Sequence, residues 1–173
     1  MDSSGSLGLG LAQAIGISGA AWLSGNIFAL SINTVAALQE SIHEDKVSPS
    51  IIAKQWSRMY AKGKTQNPPI AAAVAASFFY LAWSAPSDTF PANRATLSLS
   101  GLYSSAAVVT LGIVPFTLLA MVGTNNSLHR QAKSEVEVPE AETMELLGKW
   151  SYLNVIRGCF PLVGAVLGLM TLA

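Results

Sequence analysis

Four stretches of the chain, residues 7–39, 68–85, 97–124 and 150–172, hold between them a single charged side chain, Arg157. A hydrocarbon layer of about 30 Å takes roughly 20 apolar residues as helix. Within it, only a helix or a closed barrel satisfies its own backbone. The expected fold is therefore all-α: an integral membrane four-helix bundle forming one domain over residues 1–173. Composition agrees, because only 12% of the residues are charged, against about a quarter in globular chains. A formal net charge of zero disfavours nucleic acid, whose binding draws on a basic surface. The lipid bilayer is the expected partner, and a homo-oligomer stays open. The one cysteine, Cys159, excludes an internal disulfide and reads as a small apolar filler.

The first stretch is longer than one crossing needs, so its first turns are expected at the interface or outside it. It reads as a retained span and not as a cleaved signal. Its apolar run is too long for a signal, and the only early charge is Asp2 where a basic segment would stand.

Basic residues orient the bundle. Lys46, Lys54, Arg58, Lys62 and Lys64 lie between the first two stretches, and Arg130, Lys133 and Lys149 between the last two. An even number of spans puts these eight on one side, against Arg94 alone on the other. The reading places both termini in the lumen and the first and third loops in the cytosol, with the endoplasmic reticulum as the default membrane.

The first loop carries a pattern of its own. Ser48-Pro49 suits an N-cap and a first-turn proline. Ile51, Ile52, Gln55, Trp56, Met59 and Tyr60 then recur at three- and four-residue intervals, with Lys54, Arg58 and Lys62 on the other face and Gly63 as a stop. This predicts an amphipathic interfacial helix between spans 1 and 2, either a plain anchor or a lid over a site. Pro68-Pro69 suits the first turn of the second span. In the third loop Glu135, Glu137, Glu140, Glu142 and Glu145 make an acidic stretch. Its last three fit a helix start after Pro139, where the dipole favours them, and that helix is expected to continue into the fourth span.

Charge inside a span is costly and by default marks function. Trp150, Asn154 and Arg157 are spaced by four and three and share a face, which Pro161, Gly164 and Gly168 continue with residues that let a neighbouring helix approach. Asn33, with Asn26 two turns deeper, and Thr117, with Pro115 beside it and Thr110 two turns deeper, bring polar groups to a similar depth. A polar pocket near the cytosolic face, closed by Trp56, Tyr60 and Trp150, is the expectation. The plainer alternatives are that Arg157 snorkels to the interface and that Asn33, Asn154 and Thr117 only join helices. His43, among loop charges, reads as solvated. The spans hold no Asp or Glu, and the chain lacks GxSxG, HExxH, P-loop and nucleotide fingerprints. Two histidines are too few for a histidine-rich di-iron site.

Several of these segments together resemble the anthrone oxygenase family. They are Trp22-Leu23-Ser24-Gly25-Asn26-Ile27-Phe28; Gln55-Trp56 with Tyr60 and Gly63; Val114-Pro115-Phe116-Thr117 followed by Thr124-Asn125; and Trp150 with Leu153-Asn154, Arg157-Gly158 and Pro161-Leu162. The likeness covers nearly the whole chain apart from the first residues and the acidic loop. It implies oxidation of an anthrone, a polycyclic aromatic polyketide such as emodin anthrone, to the anthraquinone by O2, with no cofactor. Loss of a methylene proton gives an aromatic anion that itself reduces oxygen.

On that footing Arg157 would face the developing oxyanion, while Asn154, Asn33 and Thr117 donate hydrogen bonds to the substrate. His129, whose unperturbed pKa is near 6.5, is the expected general base, with Tyr60 in reserve. Trp56 and Trp150 would stack on the planar rings, and Asn125 completes the binding set. Two other readings remain: a non-enzymatic membrane scaffold for pathway enzymes, and a small-molecule carrier.

Overall fold

The computed structural model describes residues 3–85, 98–136 and 138–172. Asp2, Arg94, Glu137 and Leu97, the expected start of the third span, lie outside them. Among the described residues the regular elements are all helical: α1 (Ser3–Ala29), a π-helical segment (Leu30–Val35), α2 (Ala36–His43), α3 (Pro49–Ser84), α4 (Leu99–Leu111), α5 (Ile113–Leu119), α6 (Val122–Lys133) and α7 (Glu140–Met170). Three stretches of helix are long and apolar enough to cross a bilayer: Ser6–His43, Leu99–Leu119 and Glu140–Met170.

The residues expected to form a separate interfacial helix make the first part of α3, which runs unbroken for 36 residues. Gly63 is not a stop. No glycine among the described residues takes a positive φ, the conformation a glycine stop uses. Pro68 and Pro69 lie inside the helix and do not begin one. A proline there deprives the carbonyl four residues earlier of its donor. The joint is held instead by Asn67, buried, whose Oδ1 accepts from Asn26 Nδ2 at 2.9 Å. The predicted faces are otherwise present: Ile52 and Trp56 are buried, Met59 and Tyr60 partly so, and Lys54, Arg58 and Lys62 are exposed. Ile51 and Gln55 fall on the exposed side.

The third apolar stretch is broken twice. Gly112 ends α4, its N–H shared between the carbonyls of Val108 and Val109. Pro115 brings no N–H to continue the ladder to residue 111. A second break, at Ala120 and Met121, separates α5 from α6. By contrast α7 continues from its acidic first turn, Glu140 and Glu142, through Trp150 to Met170, as the sequence leads one to expect.

Contacts group the chain into two compact units. The first comprises Met1–Ser24, Pro68–Ile113 and Cys159–Ala173. Its core is built from Ala12, Ala20, Val74, Phe78, Tyr103, Ala106 and Ala165. Small residues set the helix spacing here: a Cβ on Gly164 would collide with the Thr110 side chain, and one on Gly168 would come within 2.9 Å of Ile17 and Phe78. Large apolar side chains point outward, with Trp83 91% exposed and Leu7, Leu11 and Val108 well exposed. Such a surface is normal against lipid and unusual against water.

The second unit comprises Gly25–Asn67 and Val114–Gly158. Its core joins Val35, Leu38, Ile42, Ile52, Trp56, Met121, Leu128, Leu147 and Trp150.

Candidate active site

Eight of the nine side chains singled out in the sequence fall within the buried packing of the second unit, in three groups. The first group is aromatic. Trp56 and Tyr60, one turn apart on α3, stack with ring centroids 5.2 Å apart and planes at 16°. His129 of α6 meets both edge-on, at 5.1 Å from Trp56 and 5.4 Å from Tyr60. Trp150 of α7 closes the set against Trp56 at 5.8 Å and 84°. Both tryptophans are buried, whereas Tyr60 and His129 keep part of their surface. The indole faces expected to receive a planar substrate are thus covered by protein rings. The accessible members of the cluster are the phenol and the imidazole.

Asn125 ties this group together. Trp150 Nε1 donates to its Oδ1 at 3.0 Å, and its Nδ2 lies 3.2 Å from the Tyr60 hydroxyl. An indole N–H can only donate, so the Asn125 carbonyl must face Trp150 and the amide must face Tyr60. The Tyr60 oxygen accepts that bond, which leaves its own proton free to be donated elsewhere. Burial raises the Tyr60 pKa, opposed by the Arg157 charge, so the phenol holds its proton at neutral pH.

The second group is Arg157 with Thr117. Arg157 is 8% exposed, and its Nη1 donates to Thr117 Oγ1 at 3.2 Å. Its Nε is buried without a hydrogen-bond partner. The side chain is turned among helices and does not snorkel outward.

The third group is Asn154 of α7 with Ile27 of α1 and Ser31 of the π segment. Nδ2 donates to the Ile27 carbonyl and to Ser31 Oγ, both at 2.8 Å. Since a carbonyl can only accept, the amide orientation is fixed. Both Asn154 donors are spent on protein, so the role of donor to a substrate falls away. Only Oδ1, buried and unpartnered, remains, as an acceptor.

Asn33 does not join. It is exposed, while Ser31, which drew no notice in the sequence, is buried, holds Asn154 and donates to the Ser151 carbonyl at 3.2 Å. The cause is the π segment. Residues seven apart return to one face of an α-helix, but the wider i→i+5 turn breaks that rule between Asn26 and Asn33. The buried stripe instead steps by fours through Ile27, Ser31 and Val35.

His129 Nδ1 lies 3.0 Å from Ser57 Oγ, a contact with no signal in the helical spacing. Burial lowers its pKa, and Lys133 and Lys64 push the same way, so the ring is neutral and basic near pH 7. Among the described residues no three His, Cys, Asp or Glu side chains gather as a metal site would require.

Comparison with known proteins bears on this geometry. The family model described as anthrone oxygenase matches residues 56–167, a span that carries Trp56, Tyr60, Thr117, Asn125, His129, Trp150, Asn154 and Arg157. The chain is similar to the anthrone oxygenase encC of Aspergillus fumigatus, with 41% identity covering 92% of this chain and 91% of that one. It is similar to the anthrone oxygenase nsrD of Aspergillus novofumigatus, with 35% identity covering 92% of each. The noranthrone monooxygenase of Aspergillus flavus is 32% identical over 86% of this chain and 67% of that one. No solved structure matches the chain.

Proposed function

We propose, since the chain belongs to the anthrone oxygenase family, that it oxidises an anthrone of a polyketide pathway to the anthraquinone with O2, using no metal or flavin. The observation that carries this reading is the buried, incompletely partnered Arg157 beside a phenol whose proton is free. Those are two donors suited to an oxyanion.

The chemistry asks little of the protein. The methylene carbon of an anthrone loses a proton because the resulting anion is a fully aromatic hydroxyanthracene oxide. That anion gives one electron to O2, and the radical pair combines into a carbon-bound peroxide. The peroxide takes up a proton and loses water, leaving a carbonyl. One oxygen atom enters the quinone, and the other leaves as water together with both former methylene hydrogens. His129 is the base, and its lowered pKa keeps it unprotonated at neutral pH. Tyr60, protonated at that pH, is better suited to donate its O–H to the substrate oxyanion than to serve as a reserve base. Arg157 supplies fixed positive charge nearby. Asn154 Oδ1 accepts from a substrate hydroxyl, and Thr117 aims the guanidinium.

The membrane reading belongs with this one. The Lys and Arg bias favours four crossings, the second by residues 68–84 of α3, with lumenal termini and the second unit's loops in the cytosol. Residues 49–63 would lie at that interface, and the endoplasmic reticulum is the expected membrane. Lipid then supplies both the apolar substrate and dissolved oxygen.

The deciding experiment is turnover of an anthrone by purified protein in nanodiscs under labelled O2, with the spontaneous oxidation subtracted. One labelled atom in the quinone and one in water, formed above background, is expected. Quinone at the background rate would turn the assignment toward a scaffold or carrier.

A further inference from the structure

Apart from the aromatic cluster, the second unit has a groove of about 440 Å³ lined by Asn26, Leu30, Gln55, Arg58, Met59, Lys62, Gly63 and Gln66. Gln55, Arg58, Lys62 and Gln66 recur every three or four residues, so they form one row along α3. Arg58 and Lys62 are exposed, and neither is in an ion pair among the described residues. The floor is Gly63, where an added Cβ would lie 3.7 Å from Leu30 Cδ1 and 3.8 Å from Asn67 Nδ2. That amide nitrogen is buried and has no hydrogen-bond partner, in a side chain only 3% exposed.

We propose that this groove binds the phosphate headgroup of an anionic membrane lipid. Two cations one turn apart, flanked by side-chain amides, suit a phosphate monoester better than a neutral ligand. Leu30 and Met59 offer apolar contact to the glycerol end of an acyl chain, which a free anion would not use. Headgroup and tail are thus both provided for. Basic residues at a cytosolic interface draw anionic lipid, and the groove adds donors at fixed spacing. The site rests on the membrane reading proposed above and not on the oxygenase chemistry.

Native mass spectrometry of the intact protein in a neutral maltoside detergent tests it, with dioctanoyl phosphatidic acid, dioctanoyl phosphatidylcholine and inorganic phosphate as probes. Phosphatidic acid is expected to bind at least about tenfold more tightly than the choline lipid. The Arg58→Gln/Lys62→Gln double variant should weaken it about thirtyfold, the loss expected for two charges. Lys46→Gln/Lys54→Gln, equal in charge change but outside the groove, should weaken it no more than about threefold. Gly63→Leu, which fills the floor, should also lose the lipid while keeping the wild-type melting temperature within a few degrees. Equal losses in both double variants would mean diffuse surface attraction and overturn the site. Inorganic phosphate displacing the lipid at equal concentration would overturn the assignment to lipid.

Discussion

The indole N–H of Trp150 donates to Oδ1 of Asn125 at 3.0 Å in a buried setting. Because an indole cannot accept, this one bond decides which end of the Asn125 amide reaches Tyr60 and leaves the phenol proton free. Asn125→Leu strands the buried Trp150 donor. A loss of about 1–3 kcal/mol is expected, seen as a lowered melting temperature followed by tryptophan fluorescence. Tyr60→Phe keeps the ring stack on Trp56 and removes only the hydroxyl. Its turnover should fall about a hundredfold, with a much smaller change in melting temperature. Unchanged turnover would take Tyr60 out of the chemistry.

Acid should switch the enzyme off below the usual histidine range. Burial holds the His129 pKa down, as do Lys133 and Lys64. Its neutral, basic form therefore persists to lower pH than in a free imidazole. The acid limb of kcat/KM should have its midpoint below about 6.5. By the same linkage, the stability contributed by the neutral ring is complete above about 6.5 and is lost as the pH falls through the lowered value. His129→Gln should abolish the limb and leave a low, flat rate. A limb that survives in the variant would place the base elsewhere.

Much of this arrangement was legible in the sequence, and the exceptions share a cause. Helical spacing correctly put Trp56 above Tyr60 and aligned Trp150, Asn154 and Arg157, because α3 and α7 are regular there. Burial then drew these residues into one unit. Spacing failed at Asn33, where the π turn rotates the chain so that Ser31 takes the inner place. It failed again at Gly63 and Pro68-Pro69, which read as punctuation but lie in a continuous helix. Local preferences of about 1–3 kcal/mol for these residue types did not decide the course of α3, which runs through all three positions. Hydrogen-bond direction was not legible at all, and it is what spends both Asn154 donors on protein and makes the Tyr60 oxygen an acceptor from Asn125.

Arg157 and Thr117 separate charge from aim. Arg157→Gln keeps hydrogen-bonding capacity but loses the charge, and kcat should drop by about 10²–10³ with binding of substrate affected less. Thr117→Val keeps the charge and removes its 3.2 Å acceptor. A smaller loss is expected, about tenfold, carried by kcat. Steady-state rates of both proteins in nanodiscs, corrected for spontaneous oxidation, check the order. A Thr117→Val protein as impaired as Arg157→Gln would mean that orientation matters as much as charge.

Gly158 is where close helix packing meets the proposed site. A Cβ there would fall 2.6 Å and 2.7 Å from two atoms of the Phe28 ring and 3.2 Å from Ile27 Cγ2. One turn back along α7, Asn154 donates to the Ile27 carbonyl at 2.8 Å. Replacing glycine by alanine inside a helix ordinarily gains about 0.5–1 kcal/mol, whereas overpacking a filled site costs about 1–3 kcal/mol. The second effect should win, because an aromatic ring has little room to yield. Gly158→Ala is therefore expected to be less stable by about 1–2 kcal/mol. It should also be slower, because pushing residues 27 and 28 away stretches the bond that fixes Asn154. Gly25→Ala, where an added Cβ meets nothing within 4 Å, is the matched control and should melt at or above the wild-type temperature. If Gly158→Ala gained stability as Gly25→Ala does, close helix approach at residue 158 would not be what holds Asn154 in place.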